Sequence, residues 1–528
     1  MKKIFMLWLV LAASALSAQE FLLIKFTDKP SADTYFANPT LMLSQKALDR
    51  RVKYDIELNL QDVPVEQSYV NQIVDLGIQP VLVSKWFNGI FAELSENQIT
   101  QVENLSFVQE VETFVKNPGA PKVNVQLEDK FTVEEEDFNY GTTEEQITQL
   151  NLDYLHNLGF TGDGITIAVL DAGFPGVDTA EGFAYLRNNG KIQGGYNFVD
   201  DDSFFYTRGN HGTMVLSTMG GYVENQYVGT AIDADYYLFI TEKSEEEIPQ
   251  EEVWWIAAAE RADSIGVDVL NTSLGYNEFD DARYNYTYEH MDGQTAFITR
   301  GAQIAAEKGM MVVNSAGNSG GSEWYYITAP ADGVDVFTIG SVNSEGNSSG
   351  FSSYGPTSDG RIKPDVSARG SAAYIIRPSG NIDTASGTSF SSPIMAGAMA
   401  CFIQAFPEVH PIVVRQKVRA SADHFTNPTD QIGFGIPDFE QAYNLMLSVS
   451  EVDGKEEIAI FPNPTKDFIR IQSEKEIKSV QLFSAEGKII QKNLNGNQIN
   501  LNRLPNGIYF LKIELENGRV QFEKVLKK

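Results

Sequence analysis

The chain has 528 residues, 42% of them hydrophobic, and a formal net charge of −31. That length exceeds one ordinary domain and predicts about three or four pieces at roughly 150 residues each. The acidic balance argues against a nucleic-acid partner, which needs a basic face, and is read as serving solubility.

Lys2 and Lys3 precede an apolar stretch over 4–13 and small residues up to Ala18. This pattern predicts a secretory signal peptide over 1–18, cut after Ala18 or Ala15. It is too short for a membrane-spanning helix of ~20 apolar residues. No later run is long and apolar enough to span a bilayer. The single cysteine, Cys401, excludes an internal disulfide and reads as a core residue on a helix. A reactive thiol would need a more polar, activating setting. Stability outside the cell then rests on packing.

Residues 20–117 predict a small α/β unit. A strand over 21–26 is followed by helical spacing over 43–54 and 65–76, with Pro64 placed for a helix start. Residues 81–94 read as extended, Ser95 as a helix N-cap, and 108–114 as a final strand. An acidic stretch with Pro and Gly over 117–137 reads as exposed and open to cleavage.

From 140 to 447, strand-like runs (165–170, 236–240, 267–270, 310–313, 336–339) alternate with helical patterns (211–219, 251–265, 295–308, 389–406). This predicts an α/β domain with a doubly wound, mostly parallel sheet covered on both faces. The acidic insertion over 245–252 reads as a solvated loop. A polar linker over 448–457 leads to short strands at 468–471, 480–483, 499–501 and 508–513, separated by turns. They predict a small all-β sandwich over 458–528. No internal repeat is present.

Three segments carry chemistry: Val169-Leu170-Asp171-Ala172-Gly173, Asn210-His211-Gly212-Thr213 and Gly387-Thr388-Ser389-Phe390-Ser391-Ser392-Pro393. Asp171 ends a hydrophobic strand, and small residues around His211 and Ser389 allow close approach of backbone and substrate. A serine hydroxyl becomes nucleophilic only when a base takes its proton. Histidine can be that base and later the acid. A buried aspartate holds the imidazole in the required tautomer and stabilises its charge. Ser389 is expected at a helix N-terminus, where N–H groups and the dipole favour an oxyanion, with Pro393 in the first helical turn. Taken alone, each of the three has a plainer reading: a helix N-cap for Ser389, a structural histidine, a strand-end turn former for Asp171.

With Asp, His and Ser in this order, the chain resembles the subtilisin-like serine proteases, the subtilases. The segments Phe351-Ser352-Ser353-Tyr354-Gly355-Pro356 and Lys363-Pro364-Asp365-Val366 extend the resemblance over roughly 140–447. It implies that Asn318, in Asn314-Ser315-Ala316-Gly317-Asn318, completes the oxyanion hole. It also implies that Ser273, Leu274 and Gly275 line the specificity pocket and pair with substrate, by strand addition at an edge. Trp324-Tyr325-Tyr326 reads as pocket wall or surface packing. Ala172 stands where Ser or Thr is usual, and Met214, Leu216 and Ser217 replace the commoner His, Ala and Gly. No cofactor is required by this chemistry, and no metal site is predicted. Calcium is common in the family, but no Asp/Asn cluster has convincing ligand spacing.

Residues 20–117 then resemble a subtilase inhibitory propeptide, with maturation expected between about 117 and 140. Phe461-Pro462-Asn463-Pro464-Thr465, Leu504-Pro505-Asn506-Gly507-Ile508-Tyr509 and a basic end resemble the sorting domain of the type IX secretion system of Bacteroidota. The alternative for that segment is a carbohydrate-binding or fibronectin-like β-module. The expectation is a Sec-exported, secreted or surface serine endopeptidase, a monomer, acting on proteins or peptides and engaging the secretion machinery through its C-terminal domain. Two rivals are an inactive subtilase-fold binding module and an esterase or ligase using the same serine.

Overall fold

In the computed structural model the described residues are 19–114, 139–450, 459–473, 477–484, 489–491, 498–515 and 520–528. The expected signal peptide, the 117–137 stretch up to residue 138 and most of the 448–457 linker lie outside them. Residues through Tyr443 form one compact unit and those from Asn444 a second.

The first unit begins with β1 (Glu20–Phe26), α1 (Ala32–Ala37), α2 (Gln45–Lys53), α3 (Gln67–Asp75), β2 (Pro80–Ser84), β3 (Gly89–Leu94), α4 (Glu96–Glu103) and β4 (Val108–Thr113). Ser95 caps α4 in a reciprocal capping box with Gln98. The four strands form an antiparallel sheet in the order β2-β3-β1-β4. One of its faces buries Leu22, Ile24 and Ile90 with Val70 and Ile73 of α3. The other turns Phe21, Phe91 and Phe114 towards Phe297 and Tyr284 of the region beyond residue 139.

That region contains α5 (Glu144–Thr148), α6 (Leu152–Asn157), β5 (Thr166–Asp171), α7 (Ala184–Asn188), β6 (Ile192–Asn197), α8 (His211–Gly220), β7 (Tyr222–Val223), β8 (Tyr227–Val228) and β9 (Asp235–Ile240). It continues with α9 (Pro249–Ile265), β10 (Val269–Thr272), α10 (Phe297–Glu307), β11 (Met311–Ser315), β12 (Phe337–Val342), β13 (Val366–Arg369), β14 (Ala373–Ile376) and β15 (Ile382–Ala385). Helices α11 (Thr388–Ala405), α12 (Pro411–Ala420) and α13 (Phe439–Ser450) follow. Seven strands form a parallel sheet in the order β13-β12-β11-β10-β5-β9-β6. Helices α9 and α10 pack on the face carrying Ala168, Leu170, Leu270 and Val312, and α8 and α11 pack against each other and the sheet. This is the doubly wound architecture expected from the sequence. Chain order reverses at β5, with β9 on one side and β10 on the other. The crevice outside the carboxyl ends of such strands is where these sheets bind ligands.

Cys401 is buried in α11, and its Sγ donates to the Thr230 carbonyl at 3.1 Å. Burial pushes its thiol pKa up, so it is an inert core residue. Among the described residues, no helix is long and apolar enough to cross a membrane.

The second unit has β16 (Ala459–Phe461), β17 (Phe468–Gln472), β18 (Ile477–Ser484), β19 (Ile489–Gln491), β20 (Gln498–Asn500), β21 (Gly507–Leu515) and β22 (Val520–Lys527). Two antiparallel sheets, β16-β17-β20 and β19-β18-β21-β22, share a core of Ile469, Ile471, Leu482, Ile499, Leu511 and Ile513.

Candidate active site

Strand β5 lies inside the sheet, and its residues 167–170 are wholly buried, as expected for a parallel strand covered on both faces. Asp171, at its carboxyl end, is equally buried. Oδ1 of Asp171 accepts the Ala172 N–H at 2.7 Å and lies 2.8 Å from His211 Nδ1. Its buried Oδ2 has no hydrogen-bond partner among the described residues.

His211 is the first residue of α8. A Cβ on the next residue, Gly212, would meet the Gly173 carbonyl at 2.5 Å and Asp171 Cβ at 2.9 Å. Only glycine lets the helix press onto the strand end and bring the imidazole to the carboxylate. Burial alone would lower the His211 pKa. The charge and hydrogen bond of Asp171 outweigh it and hold the imidazole above its ordinary value.

Ser389 is the second residue of α11 and 8% exposed. Its Oγ donates to the Ser273 carbonyl at 3.3 Å, and Ser273 Oγ donates back to the Ser389 carbonyl at 2.9 Å. The helix starts at Thr388, so Pro393 sits in its second turn, not its first as the sequence reading had it. Proline has no N–H to give the carbonyl four residues back, and Ser273 fills that place. Ser273→Ala should leave this buried carbonyl unpaired and cost about 1–3 kcal/mol of stability, read by urea unfolding.

Among the described residues no hydrogen bond joins Ser389 to His211. The His211 ring packs beside that of Phe390, the residue after Ser389, with centroids 6.0 Å apart. A turn about χ1 frees the serine hydroxyl from Ser273, and such bonds are commonly loose in ligand-free sites.

Asn318 follows β11. Its Oδ1 accepts the Thr388 N–H at 2.8 Å and the Thr388 hydroxyl at 3.0 Å, leaving its amide N–H groups for other partners. A Cβ on Gly387 would lie 3.5 Å from Asn318 Nδ2 and 3.7 Å from the Ser389 nitrogen. Two kinds of N–H donor therefore border one small space, which glycine keeps open. The Ser389 N–H is among the first donors of α11, which have no partner within the helix.

Strand β10 is an interior strand, hydrogen-bonded to β5 and β11. Residues 273–275 run on past its carboxyl end. Ser273 is 4% exposed and committed to holding Ser389. Leu274 and Gly275 are half-buried. The Leu274 carbonyl accepts from Asn314 Nδ2 at 3.2 Å. Tyr326 stacks on Tyr288 at 3.9 Å and Tyr325 on Tyr354 at 4.3 Å, so these tyrosines pack as a surface cluster.

The acidic insertion is only partly solvated. Glu245 and Glu246 are exposed, but Glu251 and Glu252, in the first turn of α9, are wholly buried. Glu251 accepts the Lys243 and Ile248 N–H groups, each at 2.8 Å. Glu252 accepts the Tyr286 hydroxyl at 2.7 Å and the Ile298 N–H at 2.9 Å. Burial and the neighbouring Glu247 push Glu251 up to about 8, and burial raises Glu252 to about 7. Glu242, next to this pair, bonds the hydroxyl of Tyr276, which directly follows residues 273–275. Burial and Glu251 raise its pKa well above the usual carboxylate range.

The sequence reading missed Thr388, which aims Asn318, and Phe390, which packs on His211. Only their place beside Ser389 could have marked them. Among the described residues no group of three or more His, Cys, Asp or Glu side chains is arranged to hold a metal.

Asp171 and His211 are in contact at the carboxyl end of the parallel sheet, and Ser389 stands at the start of α11, against the end of β10. The Subtilase family profile matches residues 162–443, and the chain belongs to that family of subtilisin-like serine peptidases. The profile of the peptidase S8 propeptide domain of Bacteroidota matches 21–130, and that of a secretion system C-terminal sorting domain matches 459–528. Subtilisin DY of Bacillus licheniformis is 28% identical over 291 residues, covering 55% of this chain and 93% of the relative. Membrane-bound transcription factor site-1 protease of Rattus norvegicus is 28% identical over 315 residues, or 57% of this chain. The chain spans only 27% of that relative's length. The crystal structure of MycP1 with its N-terminal propeptide removed aligns at a TM-score of 0.45 and 21% identity, covering 57% of this chain and 96% of that one.

Proposed function

We propose that the chain is a secreted serine endopeptidase with Ser389 as nucleophile, His211 as general base and acid, and Asp171 as its orienting partner. The observation that carries this reading is the 2.8 Å His211–Asp171 contact, which leaves the far imidazole nitrogen to serve a serine at the neighbouring helix start. Ser389 Oγ attacks the peptide carbonyl while His211 takes its proton. The tetrahedral oxyanion is held by the Ser389 N–H and the Asn318 amide. His211 then protonates the leaving amine, and an acyl group stays on Ser389. Water, deprotonated by His211, attacks that acyl carbon, releases the acid and restores the serine. Leu274 and Gly275 are proposed to line the path of the substrate.

The proposed precursor has a signal peptide (1–18), a propeptide and maturation linker (19–139), the peptidase domain (140–447), a linker (448–457) and the sorting domain (458–528). Maturation falls between about 117 and 140. Intact-mass analysis after fluorophosphonate treatment tests the function. One adduct on the protein and none on Ser389→Ala supports it; no adduct on folded, processed protein favours a binding module. Peptide and ester substrates, compared side by side, separate a peptidase from an esterase.

Asn318→Ala should lower turnover about 10²–10³-fold with little change in KM, because the donor acts chiefly on the charged intermediate. Steady-state kinetics on a chromogenic peptide reads this. Truncation after residue 457 should hold the protein in the periplasm. A truncated form that still reaches the medium would refute the proposed sorting role.

A further inference from the structure

Past the end of β10, Tyr276 runs antiparallel to Ala329, and the two exchange backbone hydrogen bonds at 2.8 and 3.1 Å. Thr328 thereby comes against Gly275. A Cβ on Gly275 would collide with Thr328 Oγ1 and lie 3.1 Å from Thr328 Cβ. Gly275 is not in the left-handed region, so its backbone makes no demand for glycine; the threonine does. Gly317, in the loop after β11, has φ +103°, and a Cβ there would lie 3.1 Å from Thr328 Oγ1 and 2.8 Å from Ser353 Oγ. One side chain thus occupies the space that two glycines, from two separate loops, leave open.

Both loops lead to the proposed chemistry. Gly317 precedes Asn318, and its N–H donates to Thr388 Oγ1 at 3.2 Å. Gly275 stands two residues after Ser273, whose carbonyl accepts the Ser389 hydroxyl. A peptide whose carbonyl oxygen is held by the Asn318 amide and the Ser389 N–H carries its own side chain one bond away from that carbonyl. The glycine-lined gap is the space that adjoins both segments, and Thr328 is its floor.

That floor is polar and unpaired. Thr328 is 4% exposed, and its buried Oγ1 has no hydrogen-bond partner among the described residues. Asn314 is in the same state beside Leu274. Its Nδ2 donates to the Leu274 and Ser315 carbonyls at 3.2 and 2.8 Å, while its buried Oδ1 has no partner among the described residues. Folded chains seldom leave such groups unpaired, and each exception calls for a cause. A long apolar side chain entering here would meet the threonine and bury its hydroxyl still unpaired. A short one that carries a hydroxyl of its own would clear the threonine and give that group a partner.

We propose that Thr328 decides which residue this enzyme takes immediately before the cleaved bond: a small one, serine ahead of alanine. The proposal rests on the peptidase reading above. The test measures kcat/KM of the secreted, processed enzyme on peptides that differ only at that residue: Ser, Ala, Leu or Phe. Ser and Ala are expected to exceed Leu and Phe at least about tenfold. Thr328→Gly should erase that margin by clearing the gap between Gly275 and Gly317, and Thr328→Ala reads the same effect should the glycine variant fail to fold. Thr328→Val nearly keeps the shape but loses the hydroxyl. It should retain the size limit and cut the Ser-to-Ala ratio about fivefold. A native preference for Leu or Phe, a margin that survives the smaller residues, or a Ser-to-Ala ratio unmoved by valine overturns the role of Thr328. Fluorophosphonate labelling keeps the two failures apart: native enzyme that does not label refutes Ser389 as nucleophile, and the role of Thr328 with it.

Discussion

Ser389→Ala is expected to lower peptide-bond turnover by about 10⁶, the scale known for the nucleophile of subtilisin. The substitution removes one buried hydroxyl and leaves the His211–Asp171 pair intact. It also leaves the Thr388–Asn318 contacts, which aim the proposed oxyanion donor. The residual rate should therefore stay about 10³–10⁴ above that in water. The fold should hardly change, because the hydroxyl's described bond, to the Ser273 carbonyl, is long at 3.3 Å, while the Ser273 bond to the Ser389 carbonyl is kept. Kinetics on a chromogenic peptide measures the loss. If maturation is autocatalytic, intact mass will show the variant retaining residues 20–114. Turnover within tenfold of the unmodified enzyme would remove Ser389 from the role of nucleophile.

Asp171→Asn should lower kcat about 10⁴-fold by presenting His211 in the wrong tautomer. Its pH dependence is more diagnostic than its size. His211 acts as a base only when neutral, and Asp171 raises its pKa against the lowering effect of burial. Activity of the native enzyme should therefore rise with pH through this raised value and be lost below it. With asparagine only burial remains, so the acid limb of kcat/KM should move to lower pH as the plateau falls. Stability runs the other way. A folded-state pKa above the unfolded value of about 6.5 stabilises the protein below that value, and the gain is lost as pH rises through the folded pKa. The stability gap between native and variant should thus widen on acidification. An acid limb that stays in place would mean that Asp171 does not set the basicity of His211.

The elements around the site were legible because their patterns are local. The apolar run ending at Asp171 is a strand by composition, and the full burial of residues 167–170 follows from their unbroken apolar character. The small residues of α11 mark a helix packed closely on the sheet. Strand β6 was missed because Ile192-Gln193-Gly194-Gly195-Tyr196-Asn197 has neither alternation nor a β-branched majority, and it forms only as an edge against β9. Glu251 and Glu252 were misread because an acidic run looks solvated until its acceptors meet N–H groups brought by the fold. The partner of Glu252, Tyr286, comes from a loop beyond β10. The exchange between Ser273 and Ser389 was hidden for the same reason, as no spacing within either segment points to the other. Arg50 and Arg51 look like an ordinary basic pair on an amphipathic helix. Their acceptors at Asp263 and Lys308 lie more than 200 residues further on.

The placement of β5 bears on how fast this sheet can form. Its two neighbours, β9 and β10, arise only after α8 and α9 have been laid down, and both pairings are parallel. Such non-local contacts slow folding, since loop closure precedes any return from pairing. The propeptide precedes the peptidase domain in the chain and can fold as a unit before it does. It then presents α2 where the ends of α9 and α10 must come to rest. Those helices lead directly into β10 and β11, the strands that deliver Ser273 and Asn318. A late-forming sheet thus has the end points of two of its crossovers marked by a smaller unit that precedes it in the chain.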